Sequence, residues 1–231
     1  WATWRANKYT VVIDGVSREM DYGSDIAKPA DPAAREGYTF AGWTTNGASV
    51  AAWPLKVLLG GLTIRSAWTA NAYTVKFDPG EGTGKMGDQA FTYDVPQALT
   101  ANGFTAPELM VFDCWTNETA TGMSPPLLGD GEVVSNLTAE ANGVVTLKAT
   151  WKDAPSYVVA FAANGGEGEM ADRRFECGKG GTLPKNTFSR TGYTFGQWTN
   201  ETATGMSPPL LGDGATFTED LAPTNGMATL K

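Results

Sequence analysis

Three short runs of the chain alternate apolar and polar positions in the same order: KYTVVID (8–14), AYTVKFD (72–78) and SYVVAFA (156–162). An aromatic residue, a valine and a large apolar residue fall on alternate positions: Tyr9, Val11 and Ile13; Tyr73, Val75 and Phe77; Tyr157, Val159 and Phe161. A period of two with one apolar side predicts a half-buried strand in each case. Asp14-Gly15 follows the first run and suits the two positive φ values of a type I′ hairpin turn. The other two runs lead into longer glycine-rich loops, DPGEGTGK and AANGGEGE. Return strands then read REMDYG, QAFTYD and RRFECG, with Met20/Tyr22, Phe91/Tyr93 and Phe175/Cys177 on matching faces.

A middle strand follows in each unit, GYTFAGW (37–43), LMVFDCW (109–115) and GYTFGQW (192–198). A closing strand completes the unit, LTIRSAW up to Trp68 and TLKATW up to Trp151. Leu62, Ile64 and Trp68 share one face, as do Val145, Leu147, Ala149 and Trp151. The opening WATW matches the end of TLKATW, and the sequence stops at TLK. The expected organisation is therefore the tail of a preceding repeat at 1–4 and modules at 5–70, 71–153 and 154–231, the last lacking its final Trp. Trp1 is not a natural start, so the sequence reads as a slice of a longer chain. Only four or five residues separate Trp4 from Tyr9, Trp68 from Tyr73 and Trp151 from Tyr157. Linkers this short prevent free tumbling and predict a semi-rigid string.

Composition narrows the class. Charged residues make up 18% of the 231, with 28 Gly and 13 Pro, a profile of many short strands and turns. A net charge of −8 repels phosphate backbones and anionic lipid, which argues against nucleic acid as a partner. No apolar run approaches the roughly 18 residues of a spanning helix, so no direct membrane insertion is expected in this segment. Histidine is absent, which removes the commonest general base and metal ligand, and two cysteines cannot build a zinc cage.

Candidate chemistry reduces mostly to packing. Trp43, Trp115 and Trp198 recur at one position and Trp68 and Trp151 at another. Exposed rings there would form a sugar-stacking platform, but recurrence at strand ends beside apolar neighbours predicts largely buried core residues, Trp198 less so. Trp53 has no counterpart and precedes Pro54 in VAAWPLKVLLGG, where an inter-unit contact or a local mini-core is expected. Cys114 and Cys177 occupy different slots in different units and are expected unbridged. The acidic loops lack the fixed ligand spacing of a calcium site and read as solvated turns. No catalytic, cofactor-binding or metal-ligating residue emerges, no ligand-binding residue can be assigned, and the expectation is no enzyme and no cofactor.

Strand, NGG loop, strand, LP…RTGYTFGQW and a strand ending in Trp together resemble the bacterial Listeria–Bacteroides repeat, the internalin-type B-repeat. The third unit carries it best, in FAANGGEGEM (161–170) and LPKNTFSRTGYTFGQW (183–198). The first matches in REGYTFAGW (35–43), and the second departs, with APELMVFDCW in place of the Gly-Tyr-Thr-Phe core. The resemblance implies a mainly β or α+β fold of tandem small β-grasp-like modules of about four strands each. It implies no catalytic residue. It further implies an extracellular place on the bacterial cell surface, wall-attached or secreted, and a structural or adhesion role. The three Asn-X-Thr sequons at Asn117, Asn136 and Asn200 are then coincidental.

One feature stands apart from the repeat pattern. The seventeen residues WTNETATGMSPPLLGDG occur verbatim at 115–131 and again at 198–214. Their composition predicts a loop between middle and closing strands, with Leu-Leu tucked inward and Gly-Asp-Gly turning. Recent duplication, which copies a segment without selection for contact, is the leading explanation; two loops presenting one surface to a repeated partner are the alternative. The leading functional expectation is a non-enzymatic stalk, spacer or adhesin-type segment. Its rival is a module that binds a host protein or glycan through its loops.

Overall fold

A computed structural model describes residues 1–119, 127–202 and 210–231. Every regular element among them is a β-strand. The chain forms two compact units: Trp1–Asp78 with Lys85–Gly103 and Trp115–Lys148, and Pro79–Gly84 with Phe104–Cys114 and Ala149–Lys231.

The first sheet is built from the first repeat. The opening strand Lys8–Ile13 pairs antiparallel with the return strand Val16–Asp21. Asp14 and Gly15 turn between them with φ of 43° and 84°, as a type I′ hairpin requires. The closing strand Leu62–Ala70 runs parallel to the opening strand, Val11 facing Leu62 and Ile13 facing Ile64. The middle strand Tyr38–Thr45 lies antiparallel beyond it, with a bulge between Phe40 and Gly42. A parallel pair needs a long crossover, and here the middle strand and its loops supply it instead of a helix.

The second repeat reproduces this order. Leu127–Leu128, the middle strand Met110–Asn117, the closing strand Gly143–Asp153, the opening strand Ala72–Asp78 and the return strand Gln89–Thr92 form one five-stranded sheet. In the third repeat the opening strand Ser156–Phe161 pairs with the return strand Arg173–Glu176 and, in parallel, with the closing strand Met227–Leu230. Its middle strand is only Trp198–Thr199, where the GYTFGQW pattern predicts seven residues. The shortening has a direct cause: a strand exists only with a backbone partner, and the closing strand ends at Leu230, opposite Asn200.

The alternating residues face the cores as expected. Val11, Ile26, Trp43, Val57, Leu62 and Ile64 make the first cluster, with Tyr9, Ile13, Phe40 and Trp53 packed on it. Trp53 is thus part of a local core. Tyr157, Val159, Phe175, Trp198, Leu211 and Leu230 belong to the third repeat's cluster. The cross-strand pairs Tyr73/Phe91 and Tyr157/Phe175 stack at 5.5 and 6.1 Å, so one register serves two repeats.

The tryptophans divide by position. Trp43, Trp115 and Trp198 are buried, Trp198 to 1%, so the expectation that it would be less covered is not met. Leu211, facing it across a two-residue ribbon, and the rings of Phe161 and Phe195 close over its indole. Trp68 and Trp151 are half-buried, because they stand at the ends of closing strands and cover the core from one side.

Candidate functional site

The copied segment is the first candidate, and several of the bonds by which its described residues tie it to the scaffold recur in both copies. Asn117 Oδ1 accepts the Thr119 amide at 3.0 Å, and Asn200 Oδ1 accepts the Thr202 amide at 3.1 Å. These Asn-initiated turns aim each threonine hydroxyl at the closing strand. Thr119 Oγ1 takes the Thr146 amide and Thr202 Oγ1 the Thr229 amide, both at 2.8 Å. Leu128 pairs with Trp115 and Leu211 with Trp198. Only the second leucine of each pair is buried, since neighbouring strand residues point to opposite faces; Leu127 and Leu210 are exposed. Asp130 and Asp213 accept the amides of Asn102 and Asn186, each at 2.7 Å. Gly131 and Gly214 turn at φ 65° and 66°. Residues 120–126 and 203–209, where a presented binding surface would sit, lie outside the described residues.

A second arrangement recurs wherever one repeat meets the next. Asn71, the single residue between closing and opening strands, donates its amide to Gly37 O at 2.8 Å and accepts the Tyr93 amide at 2.9 Å. Ala154 donates to Leu109 O at 2.9 Å, and Pro155 O accepts the Cys177 amide at 2.8 Å. In the first junction side chains add to this frame. Tyr38 and Tyr93 meet edge-to-face at 5.8 Å, and the Arg35 guanidinium lies 3.7 Å over Tyr38. The Tyr38 hydroxyl donates to Asp94 at 2.7 Å, and Asn136 Nδ2 donates to the other carboxylate oxygen at 2.8 Å. These bonds hold the Asp94 carboxyl below its ordinary value, the Tyr38 bond foremost, and push the Tyr38 hydroxyl upward. Gly37 turns at φ 74°, and a Cβ there would strike the Tyr93 ring. The sequence pattern alone does not single out this cluster; its signal is the aromatic at Tyr22 and Tyr93, which alternation places only on one face of the return strand.

The third repeat holds an open cleft of about 670 Å³ along residues 193–198, bounded by Ala163, Gly166, Arg190, Tyr193, Phe195 and Trp198. In the second repeat the corresponding place is filled. The Trp151 indole N–H donates to Pro79 O at 2.9 Å, its ring packs so closely on Gly82 that a Cβ there would strike it, and Phe112 meets it edge-on at 5.9 Å.

The remaining sequence candidates are structural. Cys114 and Cys177 are both free thiols: Cys114 shares bonds with Thr150, and Cys177 Sγ lies 3.4 Å from Thr224 Oγ1. The acidic loops are tied down by bridges, Thr83 to Thr105 and Glu167 to Ser189. Among the sequons, Asn136 is committed to Asp94, and Asn200 is buried with its amide donating to Leu221 O at 3.0 Å.

A family model described as the Listeria–Bacteroides repeat domain matches residues 2–56 and 157–221. A protein of Evansella cellulosilytica, provisionally named a Gly-rich membrane protein, is 29% identical over 186 residues, covering 72% of this chain and 18% of its own length. Another from the same organism, provisionally named a membrane protein, is 32% identical over 122 residues, covering 46% of this chain and 18% of its own. The chain thus spans less than a fifth of either relative. Among the described residues no helix is long and apolar enough to cross a membrane.

Proposed function

The chain belongs to the Listeria–Bacteroides repeat domain family, and on that premise we propose that it is a stalk or spacer segment of an adhesin-type protein on the bacterial cell surface, outside the membrane and without catalytic activity. The family is one of repeat domains, not of enzymes. The observation that carries the reading is the junction. One linking residue, Asn71, is bonded on both sides, and Tyr38, Tyr93, Asp94 and Asn136 lock the repeats that it joins. A segment whose work is to hold its neighbours at a fixed orientation needs bonds of this kind at every link. The recurring tryptophans Trp43, Trp115 and Trp198 are buried and serve the cores instead of forming a stacking platform.

The rival function, recognition of a host protein or glycan through the copied loops, is separated by direct measurement. The purified chain is applied to glycan arrays and to host cells beside an unrelated β-protein of equal charge. A spacer shows no retention above that control. Saturable binding that disappears when residues 120–124 and 203–207 are scrambled together, with thermal melting matched to the parent, would replace the spacer reading with recognition.

A further inference from the structure

The two repeat junctions share one backbone frame and differ in the side chains set on it. The amides of Tyr38 and Met110 donate to Arg35 O and Pro107 O at 3.0 and 3.1 Å, closing the same turn before each middle strand. The amides of Asp94 and Gly178 donate to Asn136 Oδ1 and Asp220 Oδ1 at 2.6 and 2.8 Å. Together with the linker bonds of Asn71, Ala154 and Pro155, these put Leu109 where the first junction has Gly37, and Cys177 where it has Tyr93. Met110 and Gly178 likewise stand for Tyr38 and Asp94, so the Tyr38–Asp94 bond has no equivalent that could form in the second junction. Leu109 is the unexpected residue. Its φ is 59°, in the left-handed region that favours glycine at this turn position, as Gly37 shows at 74°. A side chain there lowers the folded-to-unfolded ratio roughly 5–30-fold. At Gly37 no side chain fits at all, because a Cβ would strike the Tyr93 ring. Leu109 carries one, and the slot that holds the ring in the first junction holds a cysteine in the second.

We propose that Leu109 and Cys177 form a size-matched pair that decides which repeat can follow the second one. The Leu109 side chain takes the space that the Tyr93 ring takes in the first junction, and a tyrosine in the Cys177 slot collides with it. Glycine facing tyrosine and leucine facing cysteine are thus two working junctions, while leucine facing tyrosine is excluded. The second repeat bears Tyr93 toward the repeat before it and Leu109 toward the repeat after it, so a copy of itself cannot follow it. The first repeat, whose Tyr22 fills the same slot with its amide on Asn7 O, cannot follow it either. The third repeat, with Cys177, can. Steric overlap with the wrong neighbour is a general way to keep related interfaces apart. The inference rests on the spacer reading in one respect, that the junctions are the working parts of the segment.

Hydrogen exchange at the Ala154 amide, which donates to Leu109 O, reads the opening of this junction in the full chain. Cys177→Tyr should speed that exchange roughly tenfold or more, the scale of an overpacked contact. In the Leu109→Gly background the same substitution should leave the rate nearly unchanged, because the ring then meets a glycine as Tyr93 meets Gly37. Loss of the contact between Cys177 Sγ and Thr224 Oγ1 is common to both backgrounds and cancels in the comparison. Should Cys177→Tyr fail to fold, circular dichroism and thermal melting of the double variant give the answer: a native spectrum and melt support the pair, and a double variant equally unfolded overturns it. Equal acceleration in the two backgrounds also overturns the proposal, as does no acceleration in either. Neither result bears on ligand binding, which the glycan arrays and host cells decide, so this inference and the spacer reading fail separately.

Discussion

The Tyr38 hydroxyl donates to the Asp94 carboxylate at 2.7 Å, joining the middle strand of one repeat to the loop after the return strand of the next. The bond favours ionised Asp94 and neutral Tyr38, and the two shifts bracket the pH range of a firm junction. Asp94 has a lowered folded pKa, so its contribution is present above its ordinary value of 3.8 and is lost as pH falls through the lowered one. Tyr38 has a raised folded pKa, so its contribution is present below 10.0 and is lost as pH rises through the raised one. NMR titration of both side chains should show the paired shifts, and Tyr38→Phe should return Asp94 toward 3.8. An Asp94 titration that is identical in the variant would dissolve the link.

Gly37 and Gly192 share a left-handed backbone, but only Gly37 faces a ring. Alanine at either site should cost about 1–2 kcal/mol for the left-handed conformation. Gly37→Ala should cost about 1–3 kcal/mol more, because Tyr93 must move. Urea denaturation of the two variants reads the difference, and equal losses would show that the Tyr93 contact carries no weight.

Trp115 is fully buried against Phe77, at 5.0 Å, and Leu128. Its replacement by alanine should cost about 3–5 kcal/mol. Trp151→Ala should cost less, since its ring is only partly buried, though it also forfeits the bond to Pro79 O. Reversal of that order in thermal unfolding would mean that the closing tryptophan carries more of the fold than its burial shows.

Thr119→Val and Thr202→Val remove equivalent hydroxyls from equivalent bonds. Each should cost about 1 kcal/mol, the net worth of one hydrogen bond. The two effects should also add, because sites in separate repeats share no partner. Strong non-additivity in the double variant would show coupling between the copies.

The sequence by itself determined the strands of each repeat and the identity of their buried faces. Val11, Val75 and Val159 recur with the same neighbours, and alternation leaves a half-buried strand little freedom in which side it buries. It also determined the turn at Asp14-Gly15, because few residue pairs tolerate two positive φ values. What only the tertiary structure decided depends on partners distant along the chain. GYTFGQW has the pattern of a strand, yet becomes one only at Trp198–Thr199, where the closing strand reaches it. The seventeen-residue copy gave no local hint that Asn117, Thr119 and Asp130 anchor it to Thr146 and Asn102. Tyr38, Asp94 and Asn136 likewise carry no shared periodicity. Side-chain spacing encodes which face of an element is apolar, but a junction is made by groups that folding alone brings within hydrogen-bond range.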